Sequence, residues 1–336
     1  MDKSRLYFRC AGISFSISAD PVLLNKLYLY WSRTLCVCWQ SSSDCTWNIS
    51  VIEKPGGHEY VHIEYDSGNV LYENPYRGKI ELINSFIREL ITKLLLRNGY
   101  IWLHAAAFLI NGNGILIAGK KGTGKTTNLL NALLGHGASF ISNDQVALKY
   151  FDNEVFAVKW RPDIKVSPET LGFLNVRGVN TNNWRCVPDK YLIMPIAKQY
   201  ASIDFDLLST TRKQRIKPCH AVSCIRGVKT EYTPISTVIF LDEISMPVVE
   251  KLPSEMTLVQ FHDMFESDNE NIMPDDLNHW DKRIPYWQKR ITGILANEEA
   301  CESAANTLKK LSEKAQSYRL FCRADLDLIS NLLYEV

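Results

Sequence analysis

The residues best able to do chemistry form the run GKKGTGKT at positions 119–126, which fits the pattern G-x-x-x-x-G-K-[ST] at every fixed position. An apolar segment (114–118) precedes it and a helix-like segment (126–134) follows it. Glycines in such a loop let backbone N–H groups turn inward onto phosphate oxygens. The pattern therefore predicts nucleotide binding by Gly119, Gly122, Thr123, Gly124, Lys125, Thr126 and Thr127.

Two side chains of this run predict the chemistry. In P-loop proteins the lysine contacts the outer phosphates, and the hydroxyl after it binds Mg²⁺. Lys125 and Thr126 occupy these positions, and Thr127 is the weaker candidate for the metal. We therefore predict ATP and Mg²⁺ as cofactors.

The segments around the run must position it. Residues 102–110 and 114–118 predict two strands around the tight turn Asn111-Gly112-Asn113-Gly114. The periodicity of residues 80–96 predicts a helix, and residues 175–190 predict a long loop that could be a lid. Further predicted strands are 4–17, 60–65, 70–72, 139–142, 146–150, 155–160, 237–241 and 318–321, and helices are predicted at 21–31 and from 274 to the end.

Composition limits the classes of function. The chain has 336 residues, 46% of them hydrophobic, which predicts two globular units. The 38 basic and 37 acidic side chains give a net charge of +1, which excludes a strong general field for nucleic acid or membrane surfaces. The odd cysteine count of 9 and the lack of a targeting signal favour reduced thiols in the cytoplasm, and no apolar segment is long enough for a bilayer span.

Several of these features together resemble the HPr kinase/phosphorylase family, which is related to phosphoenolpyruvate carboxykinase. They are the segment 104–107 (His-Ala-Ala-Ala), the hairpin, the P-loop, Gly137, and the pair Asn143-Asp144. The pattern is most similar to HPr-kinase-like proteins of peptide-tailoring clusters, including kinases of lasso-peptide precursors. The resemblance implies a mixed α/β kinase core over residues 96–336, preceded by a small α+β unit over 1–95 that could recognise substrate, and a tendency to form homo-oligomers.

The resemblance also implies catalytic roles. The family has a histidine near the reaction centre, which corresponds to His104, and paired aspartates that serve as general base and metal-linked carboxylate. Here the first of that pair is Asn143 and the second is Asp144. Because asparagine cannot accept a proton at neutral pH, Asp144 or His104 must orient or deprotonate the acceptor, or positioning must suffice. Glu169 is a weaker candidate for a metal-linked carboxylate.

A second acidic pair leaves an alternative open. Asp242 and Glu243 follow the apolar segment 237–241, an arrangement by which many P-loop ATPases hold Mg²⁺. We interpret the pair as ordinary strand-end residues. Basic residues that could neutralise phosphate charge are Arg161, Lys165, Arg177 and Arg185.

The sequence thus predicts an ATP- and Mg²⁺-dependent kinase that phosphorylates a hydroxyl of a peptide or protein, such as a serine of a ribosomally made peptide. A small-molecule kinase, a carboxykinase-like enzyme and a nucleotide-binding ATPase or regulator remain alternatives. No feature predicts a nucleic-acid reader.

Overall fold

The computed structural model describes residues 5–31, 38–39, 45–57, 60–64, 67–74, 80–120, 122–159, 164–166, 170, 174, 185–186, 194–195, 214–216, 226–227, 230–242, 249–267 and 298–321. The fold is mixed α/β. Two compact units divide the chain. Unit 1 comprises Met1–Ser32, Cys36–Ile101 and Ile272–Ala304, and unit 2 comprises Arg33–Leu35, Trp102–Asn271 and Ala305–Val336.

Unit 1 contains a mixed six-stranded sheet of order β3-β1-β2-β4-β6-β5. Its strands are β1 (Arg5–Cys10), β2 (Ile13–Ser18), β3 (Cys38–Trp39), β4 (Trp47–Glu53), β5 (Tyr60–Glu64) and β6 (Asn69–Asn74). Alternation along the strands places one set of side chains in the core, where Phe8 stacks on Phe15 and Tyr72 stacks on Phe86.

Two helices belong to unit 1. Helix α1 (Pro21–Trp31) begins after Asp20, whose Oδ1 accepts a hydrogen bond of 2.9 Å from the Val22 N–H. Helix α2 (Ile80–Arg97) is followed by Gly99 at φ 75°, a left-handed residue that ends the helix. Both predicted helices are confirmed.

Unit 2 is built around a seven-stranded sheet of order β17-β10-β8-β9-β19-β21-β20. The strands and helices from residue 101 onward are β7 (Ile101–Leu103), β8 (Ala105–Ile110), β9 (Asn113–Gly119), α3 (Lys125–Gly135), β10 (Ser139–Asn143), β11 (Val146–Phe151), β12 (Glu154–Val158), β13 (Ile164–Val166), β14 (Arg185–Cys186), β15 (Met194–Pro195), β16 (Gln214–Ile216), β17 (Arg226–Gly227), β18 (Tyr232–Pro234), β19 (Thr237–Asp242), β20 (Val249–Leu252), α4 (Ser254–Ser267), α5 (Glu298–Lys314) and β21 (Gln316–Phe321). Two four-stranded sheets, β18-β12-β11-β7 and β13-β16-β14-β15, complete the strands.

The strand directions bring the carboxyl ends of several strands to one edge of the seven-stranded sheet. β9, β19 and β21 are parallel, and β10 has the same direction because it and β9 are both antiparallel to β8. The carboxyl ends of β9, β10, β19 and β21 therefore meet at one edge, where β8 begins. This arrangement places the loop after β9 beside the ends of its neighbours.

Helix α3 covers one face of this sheet. Its Leu129, Leu130 and Leu133 are buried against side chains of β8, β9, β10 and β19. After the helix the chain turns at Gly137, which has φ 68°, and the Ala138 N–H donates to the Ala132 carbonyl at 3.0 Å. The core thus fixes the axis of α3, and with it the start of the helix at the sheet edge.

Two predicted strands are wrong in their extent. Residues 4–17 predict one strand, but Ala11 and Gly12, both with positive φ, form a turn between the antiparallel strands β1 and β2. The apolar segment 102–110 predicts a single strand, but the chain bends at His104, so that β7 and β8 lie in different sheets. Apolar periodicity cannot reveal such a break, because β7 and β8 are almost entirely buried and form one apolar run in the sequence. The break puts His104 at the sheet edge instead of inside a strand.

Other predicted elements are confirmed with small changes in their ends. They include the hairpin of β8 and β9, whose turn residues Asn111 and Gly112 both have positive φ, and the strands at β10, β11, β12, β19 and β21. The predicted loop 175–190 contains the short strand β14, and its remainder lies outside the described residues, as do residues 274–297. The lid stays a prediction.

Candidate functional site

The loop after β9 depends on glycine. The φ angles of Gly119, Gly122 and Gly124 are 145°, 96° and 96°. Residues that carry a Cβ rarely adopt such backbone angles. Gly124 is also the residue that caps the start of α3. The glycines therefore permit the chain to turn from β9 directly into the helix, whose N-terminus favours anions.

Gly119 is also required by close packing. A Cβ at this position would lie 2.5 Å from the carbonyl oxygen of Leu241 on β19, closer than two such atoms can approach. The register agrees, since Leu241 is the partner of Gly119 across the β9–β19 ladder. The end of β19 thus packs against the first residue of the loop.

Lys125 is buried within the loop, with 7% of its surface exposed. Its Nζ donates to the carbonyl oxygens of Gly119 at 2.5 Å and Lys120 at 2.9 Å. The ammonium group is therefore held where the loop begins, next to the N-terminus of α3. Both a positive charge and helix N–H groups face this place, which makes it a site for an anion such as phosphate.

Three threonines support the loop and the helix start. The Thr123 hydroxyl donates to the Lys120 carbonyl at 2.9 Å, which closes the loop on itself. The Thr126 hydroxyl lies 3.4 Å from Asn143 Oδ1, and the Thr127 hydroxyl lies 2.8 Å from that of Thr170. Thr126 is therefore turned toward the end of β10, whereas the Thr127 hydroxyl has a protein partner.

The end of β10 forms an acidic corner that we call the Asp144 corner, comprising Asn143, Asp144 and His104. Asn143 is buried, and Asp144 has φ 73°, a turn conformation that aspartate tolerates. The His104 Nε2 lies 3.7 Å from Asp144 Oδ1, with 6% of the histidine side chain exposed against 17% of the aspartate. The turn is supported by Ser142, whose hydroxyl donates to the Gln145 carbonyl at 2.7 Å.

The end of β19 forms a second acidic corner, the Asp242 corner, comprising Asp242, Arg319 and Glu250. Arg319 on β21 approaches Asp242 Oδ2 with Nε at 3.6 Å and Glu250 Oε2 with Nη1 at 3.9 Å. The Asp242 side chain keeps 40% of its surface exposed. A carboxylate therefore lies on each side of β9 at the same sheet edge.

The side chains around the loop determine whether a divalent cation can be held there. Within the described ranges, no group of three or more His, Cys, Asp or Glu side chains is placed to hold a metal ion. A dedicated protein cage is thus missing from this part of the chain. The Thr126 hydroxyl and the Asp144 corner do fit Mg²⁺, which takes one or two protein oxygens and completes its shell with water and phosphate.

The structure brings the phosphate-loop and catalytic candidates predicted from the sequence together at one sheet edge. These are Gly119, Gly122, Thr123, Gly124, Lys125, Thr126, Thr127, His104, Asn143 and Asp144. Their roles stay predictions. Asp242 lies at the same edge, Lys165 and Arg185 lie in the separate sheet β13-β16-β14-β15, and Arg161, Glu169, Arg177 and Glu243 fall outside the described residues.

Sequence reasoning missed Arg319. The segment 318–321 was predicted as a strand, but nothing in its local pattern indicates which strand it joins. Only the β19–β21 register, with Phe240 opposite Arg319, brings this side chain near Asp242. An isolated arginine in an apolar strand is the one signal that could have drawn attention to it, because a charge there needs a partner.

Comparisons with known proteins show a distant structural likeness to solved structures. No protein-family model and no curated protein matches the chain. Among solved structures, the chain is similar to the HPr(Ser) kinase/phosphatase from Coxiella burnetii, with 15% identity and a TM-score of 0.23, over 45% of this chain and 76% of that protein. Among the helices that the structure describes, none is long and apolar enough to cross a membrane.

Proposed function

We propose that this chain is an ATP- and Mg²⁺-dependent kinase that transfers the γ-phosphate to a hydroxyl of a peptide or protein. The observation that carries the proposal is the 3.4 Å approach of the Thr126 hydroxyl to Asn143 Oδ1. This contact joins the start of the phosphate-binding helix to the corner that holds Asp144 and His104. The contact supports the proposal because it makes the proposed nucleotide site and the proposed acceptor site adjacent.

Each side chain of the site has a role in this proposal. Lys125 neutralises charge on the outer phosphates, and the loop N–H groups hold them. The acceptor hydroxyl oxygen bonds to the γ-phosphorus as the bond to the β,γ-bridging oxygen breaks, and ADP leaves. Asp144, supported by His104, orients that hydroxyl or takes its proton.

Magnesium fits the proposal through the residues that would hold it, Thr126 and Asp144. When bound, it supplies positive charge to the phosphates. Because Asn143 is neutral, the Asp144 corner carries one carboxylate. A pair of aspartates in the same positions would repel each other and the phosphates. Since phosphoryl transfer depends mainly on positioning and charge, a single carboxylate suffices for transfer in one direction.

The proposal assigns residues 96–336 to an HPr-kinase-like P-loop core and residues 1–95 to acceptor recognition. The recognition role is supported by β5, which is last in the strand order of unit 1. Edge strands bind extended peptides by adding a strand. A small-molecule acceptor is the alternative within the kinase class, and in that case residues 1–95 would not affect acceptor affinity.

A transfer screen tests the proposal. The chain is incubated with γ-labelled ATP, Mg²⁺ and short serine-containing peptides, beginning with those encoded beside its gene, and label is followed in peptide and in free phosphate. Label in a peptide supports the kinase. Label in phosphate alone, with no peptide or protein labelled, would contradict it.

One observation favours a second function, that of a nucleotide-binding ATPase or regulator. Asp242 follows a strand that is parallel and adjacent to β9, which is where P-loop ATPases place a metal-linked aspartate. Under this alternative water is the acceptor. The same assay separates the two, because hydrolysis would then depend on Asp242 and not on Asp144.

A further inference from the structure

Unit 1 contains a cleft of about 670 Å³ between the start of α1 and the end of β4. The side chains that shape it include Asp20, Val22, Leu23 and Lys26 from the helix side and Ile52 and Glu53 from the strand side. β2 and β4 are adjacent and parallel, so the cleft lies at their carboxyl ends, where open α/β sheets bind ligands. Ligand clefts usually measure about 300–1,000 Å³, so this one has the size and the place of a binding site.

The charges that line the cleft favour a cation. Asp20 and Glu53 contribute two carboxylates, and Lys26 contributes one ammonium group. Lys54, the residue after Glu53, pairs with Glu73 on β6 instead of lining the cleft. The helix N-terminus, which otherwise attracts anions, is already capped by the Asp20 carboxylate. The lining therefore carries a net negative charge, which complements a basic group.

Apolar side chains at the cleft favour a peptide over a free small cation. Val22 and Ile52 keep 63% and 42% of their surfaces exposed, whereas Leu23 and Val51, which also line the cleft, are buried. Exposed apolar surface around a cleft is typical of interaction sites. A basic side chain beside an apolar one would pair with the carboxylates and cover this apolar surface at the same time.

The strand register connects the cleft with the edge strand β5. Ile52 lies opposite Glu73 on β6, and Glu73 lies opposite Tyr60 on β5, so the three side chains share one face of the sheet. Neighbouring strands are about 5 Å apart, which places the Tyr60 backbone about 10 Å from that of Ile52. About three extended residues span this distance. A peptide that adds to β5 can therefore place its next residues in the cleft.

We propose that this cleft binds a segment of the peptide acceptor in which a lysine or arginine stands beside an apolar residue. Asp20 and Glu53 pair with the basic side chain, and Val22 and Ile52 contact the apolar one. Naming the acceptor as the occupant rests on the proposed function, whereas the preference for a basic and apolar segment rests on the charge and exposure of the lining. Such docking contributes to acceptor affinity and not to the chemical step.

The test measures peptide binding without nucleotide. Fluorescence anisotropy follows labelled hexapeptides that alternate leucine with lysine, leucine with glutamate, or serine with lysine, each titrated with the full chain. Asp20→Asn and Glu53→Gln remove charge, and asparagine still caps a helix. Val22→Ser removes apolar surface. The matched controls are Glu255→Gln, an acidic residue in the first turn of α4, and Val259→Ser, a valine of the same helix that is 48% exposed.

The leucine–lysine probe should bind wild type about tenfold more tightly than either other probe, because it alone satisfies both the charge and the apolar surface. The double variant Asp20→Asn/Glu53→Gln should weaken its binding about tenfold and Val22→Ser about threefold, whereas both controls should stay within about twofold of wild type. Circular dichroism establishes that each variant is folded. Asp20→Asn alone, with an expected loss of about threefold, serves if the double variant does not fold.

Equal binding of the lysine and glutamate probes, no binding of any probe, or wild-type binding by the double variant would overturn the preference for a basic segment. With an acceptor found in the transfer screen, the double variant should raise KM for that acceptor about tenfold and leave KM for ATP unchanged. An unchanged KM for the acceptor would overturn the acceptor as the occupant. Failure of the proposed function looks different, because the screen would then label no peptide although the leucine–lysine probe still binds.

Discussion

The two acidic corners at the sheet edge differ in burial and in partner. Asp144 follows β10, has a left-handed backbone and faces His104, a nearly buried side chain that is charged only when protonated. Asp242 is the last residue of β19, is more exposed and faces Arg319, which is always charged. Because histidine can gain or lose a proton, the Asp144 corner has the groups that proton transfer requires. The Asp242 corner contains a permanently charged arginine, which favours an electrostatic role.

The contact with the loop also differs between the corners. The Asp144 corner contacts the start of helix α3 through the side chains of Asn143 and Thr126. Next to the Asp242 corner, the backbone of Leu241 packs against Gly119 at the start of the loop. Side-chain contact near the start of α3 favours a role in positioning the reacting groups, whereas backbone packing favours a role in shaping the loop.

The largest effect is expected from Lys125, in the loop after β9 that lies between the two corners. Lys125→Ala should lower turnover by about three orders of magnitude or more, because the charge that faces the outer phosphates is lost. Nucleotide binding is measured by calorimetry and turnover by product release. The control is Lys120→Ala, which removes an exposed charge from the same loop and should cost less than tenfold. Wild-type binding and turnover in Lys125→Ala would refute the site.

The second prediction separates the corners. Asp144→Asn should lower transfer to the acceptor by about a hundredfold or more, the usual effect of losing a general base or metal ligand, and Asp242→Asn by about tenfold. Asp152→Asn is the matched control, because Asp152 is another turn aspartate with positive φ and lies outside the site. If Asp242→Asn abolishes activity and Asp144→Asn does not, the ATPase alternative is correct.

The third prediction concerns the backbone contact of the Asp242 corner. Gly119→Ala should destabilise the fold by about 3 kcal/mol, because its Cβ meets the Leu241 carbonyl and its φ is positive. Gly112 also has a positive φ, 85°, but no atom would lie within 4 Å of an added Cβ. Gly112→Ala should therefore destabilise the fold by only about 1 kcal/mol. Urea unfolding measures both. Equal losses would mean that β19 does not constrain the loop.

The fourth prediction tests whether His104 and Asp144 act as a pair. A double-mutant cycle with His104→Gln and Asp144→Asn should give a coupling free energy of about 1 kcal/mol in transfer rate, because the two side chains are in contact. The cycle of His104→Gln with Asp242→Asn should be additive. Additivity in the first cycle would show that His104 is only a packing residue.

The smallest expected effect lies outside both corners. Tyr60→Ala on β5 should raise KM for a peptide acceptor about threefold and leave KM for ATP unchanged, because an edge strand contributes to binding and not to the chemical step. Tyr28→Ala on α1 is a control of equal exposure, 42% against 41% for Tyr60. Equal changes in both Michaelis constants, or none, would remove acceptor recognition from β5.

Local features of this protein were readable from its sequence. Hydrophobic periodicity and turn residues are short-range signals, so helices α1, α2 and α3 and the β8–β9 hairpin were predicted within a few residues. The glycine-dependent turn after β9 was predicted for the same reason, since its glycines and Lys125 lie close together in the chain. The interest of Asn143 and Asp144 came from the resemblance to the HPr kinase family, and their roles stay predictions.

Only the tertiary structure decided which distant residues meet at the loop. The break at His104, the pairing of β19 with β9 and the pairing of β21 with β19 are long-range choices that no local pattern encodes. They turn His104 toward Asp144, Leu241 against Gly119 and Arg319 toward Asp242. Strand order is set by which buried faces pack together across the whole sheet, and the chemistry of both corners follows from that order.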